Sequence, residues 1–281
     1  MDEYRSISRV VKGMETTDGA GVRLVRVFGS RDVADFDPFL MMDAFDNSKP
    51  EQYIKGFPWH PHRGIETITY LIEGNVEHGD SLGNKGNIYN GDCQWMTAGS
   101  GIIHQEMPQP PGRMIGVQIW LNMPAKDKMA PPAYGDIVSA NVPVIADQGC
   151  EVRLISGTHL GRSGAFTGRY IKPLYMDVKM PARSTWELAT AEDQTLYTYT
   201  FFGSGCFDPE TGKVYGNKVA LLFSPGKKLR VTAGDEELRF IVLSAPPLHE
   251  PVAWGGPIVM NTQAELDLAF RELESGTFIK N

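Results

Sequence analysis

The sequence contains few cysteines and no long hydrophobic run. Its 281 residues include three cysteines, Cys93, Cys150 and Cys206, at wide spacing and without a CxxC pair. This usage fits a reducing compartment better than a disulfide framework. No window approaches the roughly 18 consecutive apolar residues of a membrane span, and the opening "MDEYRSISRVVKGMET" lacks the apolar segment of a secretory signal. We therefore expect a cytoplasmic protein that does not bind a membrane.

Basic residues are also in the minority. The chain has 27 Lys and Arg against 34 Asp and Glu, a formal net charge of −7. Phosphate backbones repel such a chain, so we expect no direct nucleic-acid binding. The GxGxxG and P-loop motifs are absent too, which argues against dinucleotide-binding and NTPase functions.

Short strand-like segments dominate what is present. There are 30 glycines and 19 prolines, and between them lie runs rich in β-branched and aromatic residues. These predicted strands are 22–29, 65–74, 115–123, 195–203, 218–224 and 238–245. The composition and the runs together predict an all-β protein.

One segment, 261–276, predicts a helix near the C-terminus. Thr262 and Glu265 have the spacing of a capping box, and Gly276 is a suitable stop at the position after the C-cap. We expect an apolar packing face formed by Leu266, Phe270 and Leu273.

A weak internal repeat divides the chain into two similar β units. Residues 67–74 can be laid on 196–203, and residues 86–101 on 212–227. Two domains of about 140 residues each also suit the length. The segment 122–136, punctuated by Pro and Gly, is the expected link between them.

Two short motifs carry the chemistry. "PWHPHRG" contains His60 and His62, and "GSGIIHQEMP" contains His104 and Glu106. Residues i and i+2 of a strand point to the same face, with Cα atoms roughly 6.5–7 Å apart. Two such strands that line a barrel would present three imidazoles and one carboxylate to a common point.

Three imidazoles and a carboxylate, without thiolate, suit a divalent first-row metal such as Fe(II), Mn, Co, Ni or Zn. With four protein ligands, an octahedral ion keeps two positions for water, substrate or O₂. Glu66 shares the face of His62 and competes with Glu106 for the fourth place, and spacing alone does not rank them. The other carboxylate could accept a hydrogen bond from a ligand imidazole.

The repeat predicts no equivalent site in the second half. Its offsets place Ala189 and Ala191 at the positions of the paired histidines and Arg230 at that of the third. His159 and His249 fall elsewhere and are expected to be structural or exposed.

Other side chains near the motifs have two interpretations. An apolar pocket around the metal or ordinary core packing would each explain Phe57, Trp59, Trp95 and Met96. Arg63 could orient an anionic substrate or pair with an acid in the barrel wall, and His78 could lie near the site. Cys93 is expected to be a buried small hydrophobic residue.

The stretches "FPWHPHRGIETITYLIEG", "GDCQWMTAGSGIIHQEMP" and "GPIVMNTQAEL" resemble the pirin family of the cupin superfamily. The resemblance covers essentially the whole chain. It implies two tandem jelly-roll β-barrel domains with a short C-terminal helix: an N-terminal metal-binding cupin domain at 1–132 and a C-terminal cupin domain without metal ligands at 133–281. It also places the metal ligands on His60, His62, His104 and Glu106, which decides against Glu66.

The resemblance further implies an activity. Some bacterial pirins resemble quercetin 2,3-dioxygenase, which opens a flavonol ring with O₂ and releases carbon monoxide. Here Glu106 would be both a ligand and the catalytic base, and the ion would be Fe(II), with Mn, Co, Ni, Cu or Zn as substitutes. The partners would then be an aromatic substrate and O₂, and we expect a monomer.

The alternative is a non-enzymatic regulator in which the oxidation state of the iron controls binding of a protein partner. The two interpretations need the same four ligands. A deep and open cavity above the metal would favour catalysis, whereas a closed mouth would favour the regulator.

Overall fold

The computed structural model describes residues 4–110 and 112–280, and these residues form 26 strands and two α-helices. The first twelve strands are β1 (Ile7–Val11), β2 (Met14–Asp18), β3 (Val22–Phe28), β4 (Phe39–Asn47), β5 (Phe57–His62), β6 (Ile65–Glu73), β7 (Val76–Asp80), β8 (Lys85–Ile88), β9 (Cys93–Thr97), β10 (Ile102–Pro108), β11 (Met114–Asn122) and β12 (Ala133–Ile137). The next twelve are β13 (Val144–Asp147), β14 (Cys150–Ser156), β15 (Thr158–His159), β16 (Arg162–Ser163), β17 (Leu174–Met180), β18 (Thr185–Ala189), β19 (Thr195–Phe202), β20 (Gly205–Cys206), β21 (Val214–Tyr215), β22 (Ala220–Phe223), β23 (Lys228–Ala233) and β24 (Leu238–Ala245). The chain ends with β25 (Ala253–Gly255), β26 (Ile258–Met260) and α2 (Gln263–Glu274), while α1 (Val33–Phe36) precedes β4 and 3₁₀ turns occupy Pro50–Gln52, Ala125–Asp127 and Ser139–Asn141. Neither helix has the length and apolar character needed to cross a membrane.

The chain folds into two compact units. The N-terminal barrel comprises Met14–Ser139 and the chain from Leu248 onward, and the C-terminal barrel comprises the chain up to Gly13 and Ala140–Pro247. All six predicted strands are present, each within two residues of its predicted bounds.

The N-terminal barrel is built from two main sheets. The seven-stranded sheet has the order β12-β9-β6-β11-β4-β3-β2, and the four-stranded sheet has the order β5-β10-β7-β8. All nine residues of the central strand β11 are buried, as expected for a strand with both faces covered. Strand β10 instead alternates fully and partly buried residues, so one of its faces points into the barrel.

The C-terminal barrel repeats this arrangement. Its sheets have the orders β1-β22-β19-β24-β17-β14-β13 and β18-β23-β20-β21. Strands β6 and β19, which the sequence repeat aligns, occupy the same place in their sheets. The two similar β units expected from the sequence are therefore two barrels of one topology.

Each unit takes in two segments, whereas the predicted domains 1–132 and 133–281 divide the chain at a single point. Strand β1 pairs with β22, so the N-terminal segment belongs to the C-terminal barrel. Strand β12 pairs with β9, so the end of the predicted link 122–136 is part of the N-terminal barrel. Sheet hydrogen bonds between residues distant in sequence, and not the Pro and Gly residues of the predicted link, decide which unit each segment joins.

The interior of the C-terminal barrel is filled with apolar side chains. The inward positions of β18 and β23 are held by Trp186, Leu188, Leu229 and Val231. The prediction that Arg230 stands at the position of the third histidine was wrong, because Arg230 points outward and its Nε donates to Glu187 Oε1 at 2.6 Å. A shift of one residue in strand register reverses the face of a side chain, and an offset taken from a weak repeat does not resolve that shift.

Helix α2 has the predicted caps. Thr262 accepts a hydrogen bond from the Glu265 backbone N–H, the Glu265 side chain accepts from the N-cap backbone, and Gly276 has φ of +72°. The buried face runs through Leu266 and Ala269, with Leu273 packed beside it. Phe270, expected in that face, is 37% exposed. The packed face runs through positions 266, 269 and 273 instead, so position 270 lies outside it.

Candidate metal centre

Three imidazoles converge in the N-terminal barrel. Strands β5 and β10 pair antiparallel, with His104 opposite His60, and His62 shares the face of His60 as the i, i+2 spacing predicts. One ligand nitrogen from each histidine lies within 4.8 Å of the others. Gly64, two residues after β5, has φ of +76°, and a Cβ atom there would lie 2.0 Å from the Val259 carbonyl oxygen, so only glycine fits.

Backbone carbonyls fix the tautomers of two of these histidines. His60 Nδ1 lies 2.8 Å from the Pro58 oxygen, and His62 Nδ1 lies 3.0 Å from the Pro257 oxygen. A carbonyl oxygen can only accept, so both Nδ1 atoms carry the hydrogen and each neutral ring keeps a lone pair on Nε2. The two Nε2 atoms are 3.0 Å apart, and two facing lone pairs at that distance repel unless a cation lies beside them.

His104 is buried without a hydrogen-bond partner. Its side chain is 1% exposed, and neither ring nitrogen has a partner among the residues that the structure describes. Burial and the neighbouring His62 and His60 lower the pKa of His104 well below its usual value. Burial, together with His60, lowers the pKa of His62 to about 3. Both rings are therefore neutral at physiological pH, which is the protonation state of a metal ligand.

These features fit a divalent cation. Two locked lone pairs face each other, and a third imidazole has two nitrogens that nothing else in the described structure satisfies. A buried polar atom without a partner costs roughly 1–3 kcal/mol, and an ion coordinated by all three rings would remove that cost. His60, His62 and His104 could thus hold one metal ion.

Glu106 lies on the same strand as His104 and is 3% exposed. Thr69 Oγ1 donates to its Oε1 at 2.9 Å, and Gln118 Nε2 donates to its Oε2 at 2.6 Å. Trp120 Nε1 in turn donates to Gln118 Oε1 at 3.4 Å, which orients the amide. A carboxylate has about four lone pairs, so each oxygen of Glu106 keeps one for a metal ion or a substrate proton.

Gln118 and Thr69 belong to a row of polar side chains that crosses the seven-stranded sheet. Asp43 stands opposite both Arg26 and Gln118, Gln118 stands opposite Thr69, and Thr69 stands opposite Gln94. Directly opposed residues of an antiparallel pair share one face. The row therefore lies on one face of the sheet, the face that supports Glu106.

Glu66, the competing carboxylate, lies on β6 and is fully buried. Thr97 Oγ1 donates to its Oε1 at 2.6 Å. Neither Glu66 nor Glu106 belongs to the three-histidine group itself, but only Glu106 shares a strand with one of its members.

His78 lies near the site, on β7 directly opposite Glu106. Its Nε2 is 2.6 Å from the Tyr134 hydroxyl, which donates a short hydrogen bond to Asp136. Burial lowers the pKa of His78 and raises that of Tyr134. His78 is thus a satisfied interior histidine beside the metal centre.

Arg63 pairs with an acid instead of facing the cavity. It is 1% exposed, and its guanidinium reaches Glu272 of α2 at 2.7 Å and the Phe278 carbonyl at 2.8 Å. It also lies 4.2 Å from the centre of the Phe278 ring. Because His62 bonds to Pro257, the C-terminal segment contacts two consecutive residues of the HPHR motif.

Lys128 joins the residue after the HPHR motif, Gly64, to the C-terminal segment. Its buried ammonium donates to the carbonyls of Gly64 and Val259 at 2.8 and 2.9 Å and to Asn122 Oδ1 at 2.7 Å. Three acceptors match the three N–H groups of an ammonium. Burial lowers the pKa of Lys128 to about 7.

A cavity of about 640 Å³ is lined by His60 and His62. Its walls include Phe57 and Trp59, as one interpretation of the sequence expected, whereas Trp95 and Met96 are buried and absent from its lining. Cys93 is likewise buried, as expected.

Two further tryptophans complete the cavity wall. The Trp120 ring packs edge-on against His62 at 5.0 Å and stacks on Trp254 at 5.7 Å between ring centres. Sequence reasoning missed both of them, together with Gln118 and Thr69. The signal available for Gln118 was a glutamine inside the otherwise apolar "MIGVQIWL".

The remaining two histidines, one in each barrel, serve different roles. His159 Nε2 lies 2.9 Å from Asp147 Oδ2, which also accepts from Trp186 Nε1 at 2.8 Å. His249 is exposed, and its backbone N–H donates to Asp37. Both observations agree with the structural or exposed roles expected from the sequence.

The two barrels and the histidine cluster define a two-domain cupin protein. Two family models match the chain, Pirin over residues 21–121 and the Pirin C-terminal cupin domain over 175–279. The chain belongs to the pirin family. A pirin-like protein of Caulobacter vibrioides is 41% identical over 277 residues, which covers 98% of this chain and 99% of that protein.

Two further relatives carry the name of an enzyme. A Pseudomonas aeruginosa protein provisionally named quercetin 2,3-dioxygenase is 41% identical over 284 residues, covering 98% of this chain and 99% of its own. A crystal structure titled quercetin 2,3-dioxygenase, from Acinetobacter baumannii, is similar to this chain with a TM-score of 0.89 and 30% identity, over 98% of both chains.

Proposed function

We propose that this protein is a metal-dependent dioxygenase of the quercetin 2,3-dioxygenase type. In this reaction a flavonol and O₂ give a ring-opened ester and carbon monoxide. The observation that carries the proposal is the cavity of about 640 Å³ that leads to His60 and His62. Ligand pockets are typically about 300–1,000 Å³ and rich in aromatic residues, and a rim that includes the exposed Trp59 is unlike the closed mouth of a switch.

His60, His62, His104 and Glu106 would hold one divalent ion, with Fe(II) as the first ion to test. Such an ion supplies Lewis-acid chemistry at an enolic oxygen and a means of reaction with O₂.

The protein supplies position and proton transfer. Glu106 accepts the proton of the flavonol 3-hydroxyl on the lone pair that Thr69 and Gln118 leave unused. Those two hydrogen bonds fix the rotamer of the carboxylate, so the accepting oxygen is held in one position. Trp120 and Trp254 offer flat faces to the substrate rings and exclude water from beside His62.

Oxygen uptake with quercetin tests the proposal. Protein is reconstituted anaerobically with Fe(II) and, in parallel, with Mn, Co, Ni and Cu, and the metal content of each sample is measured. Uptake that depends on metal and falls by about 100-fold or more in Glu106→Gln, a usual loss on removing a general base, supports the dioxygenase. Full occupancy without turnover by any ion would refute it and would direct attention to a protein partner.

A further inference from the structure

The cavity has a second polar feature, at a distance from the histidines. Arg26 and Asp43 face each other on β3 and β4, and both line the cavity together with Asp18. Arg26 Nε and Nη2 donate to the two oxygens of Asp43 at 2.9 and 2.8 Å. Arg26 Nη2 also donates to Asp18 Oδ2 at 2.6 Å. We call these three residues the rim cluster.

The rim cluster retains unused hydrogen-bonding groups. Arg26 Nη1 makes no hydrogen bond with the described residues, so its two N–H groups remain as donors. Asp18 uses one lone pair on each oxygen, for Arg26 and for the Gly19 N–H at 2.7 Å, and keeps the others. A phenolic hydroxyl both donates and accepts, so it can use both kinds of group.

The charge of the rim cluster selects against anions. One guanidinium and two carboxylates sum to −1, while the opposite end of the cavity carries the candidate cation site. A ligand that fits both ends has its acidic hydroxyl at the histidines and neutral hydroxyl donors at the rim. A carboxylate or sulfonate at the rim end would meet like charge.

The separation also suits an aromatic ligand of two linked ring systems. Arg26 lies two strands from Gln118, which bonds to Glu106, and adjacent strands are about 4.8 Å apart. Arg26 is therefore roughly 10 Å from the strand that orients Glu106, and Asp43 lies on the strand between them. Trp120 and Trp254 also line the cavity.

We propose that Arg26, Asp43 and Asp18 form a recognition subsite for a hydroxylated ring remote from the metal-binding hydroxyl of a polyphenol. The subsite makes this pirin selective for polyhydroxylated, uncharged aromatic substrates. This inference rests on the proposed function, since it assumes that a flavonol occupies the cavity.

Binding to zinc-loaded protein tests the subsite without turnover, because Zn²⁺ has no redox chemistry. Quercetin is compared with 3-hydroxyflavone, which keeps the metal-binding hydroxyl and lacks the hydroxyls on the outer rings. Dissociation constants are measured by quenching of tryptophan fluorescence. The variant is Asp18→Asn, whose side chain is 49% exposed in the native protein, so the fold should survive. Glu15→Gln is the matched control, since Glu15 lies on the same hairpin and, among the described residues, pairs only with the exposed Arg23 at 3.4 Å.

We expect Asp18→Asn to weaken quercetin binding about tenfold and to leave 3-hydroxyflavone within about twofold, the scale of one lost charge-assisted hydrogen bond. Glu15→Gln should change neither constant. Equal affinity of the wild type for both ligands, or equal weakening of both by Asp18→Asn, would overturn the subsite while leaving the dioxygenase proposal in place. Failure of the zinc-loaded wild type to bind either flavonol would overturn both.

Discussion

Replacing His104 by leucine should stabilise the metal-free protein and abolish metal binding. Both ring nitrogens of His104 lack partners among the described residues, and each such group costs roughly 1–3 kcal/mol. Leucine has a similar volume and removes both polar atoms. Its imperfect packing should cost about 1 kcal/mol of stability. Two such groups cost about 2–6 kcal/mol together, so the net gain for the metal-free protein is about 1–5 kcal/mol.

With metal the advantage of the variant should shrink. An ion at about 100 times its dissociation constant stabilises a binding-competent protein by about 2.7 kcal/mol. The wild type gains this increment, and the variant does not because it has lost one of three imidazoles. Metal at this concentration should therefore cut the stability advantage of the variant by about 2.7 kcal/mol.

Lower pH should widen the difference between the two metal-free proteins. The folded-state pKa of His104 is depressed, so below about pH 6.5 the unfolded state binds the proton and the folded state does not. The stability of the wild type therefore falls with falling pH, by up to about 1.4 kcal/mol per unit from this group. The leucine variant lacks that contribution.

Urea denaturation followed by tryptophan fluorescence measures these effects. The chain has five tryptophans, of which Trp59, Trp95, Trp120 and Trp254 lie in the N-terminal barrel and report on it. As a control, His159→Leu should destabilise its barrel by about 1 kcal/mol, because that ring bonds to Asp147. Two results would refute the reasoning: a metal-free His104→Leu protein less stable than wild type, or stabilisation of the variant by metal.

Three further predictions concern the residues that support the centre. Gly64→Ala should lower the free energy of unfolding by about 3 kcal/mol or more and weaken metal binding, because the new Cβ would meet the Val259 carbonyl. Calorimetry measures the stability and metal titration the affinity. Unchanged values of both would contradict this contact. Lys128 has a folded pKa of about 7, below its unfolded value, so the stability of the wild type should rise from pH 7 to 10. Lys128→Met should remove this rise. Urea denaturation at each pH measures the two stability profiles, and parallel profiles would contradict the prediction. Glu272→Gln should weaken the ion pair with Arg63 and raise the rate of metal loss to a chelator several-fold. Glu274→Gln, on the same helix, should leave that rate unchanged.

Local sequence predicted the strands and the paired histidines, because both depend on a two-residue period. β-branched runs bounded by Gly and Pro gave strands β6, β11 and β24 to within about a residue, and the HxH spacing placed two imidazoles on one face. Capping chemistry likewise located α2, since Thr262 and Glu265 act within a single turn.

Features that depend on register between distant strands were not predictable. Gln118 acquires its role only because Thr69 and Asp43 stand opposite it. Arg230 was assigned the wrong face because a repeat of low identity leaves the register uncertain by one residue. The anchoring of Arg63 by Glu272 joins residues more than 200 positions apart, and one sequence gives no signal for such a pair.

One row of side chains distinguishes the two barrels. Strands β14, β17, β24, β19 and β22 occupy the places that β3, β4, β11, β6 and β9 hold in the other barrel. The row that reads Arg26, Asp43, Gln118, Thr69 and Gln94 there reads Leu154, Met176, Val242, Thr198 and Leu221 here, by the same opposed pairs. All five are fully buried, and only the threonine, which the repeat aligns with Thr69, is polar. Histidines introduced on β18 and β23 would therefore meet packed hydrocarbon and find no amide to orient a carboxylate, so the same topology carries a polar centre in one barrel and an apolar core in the other.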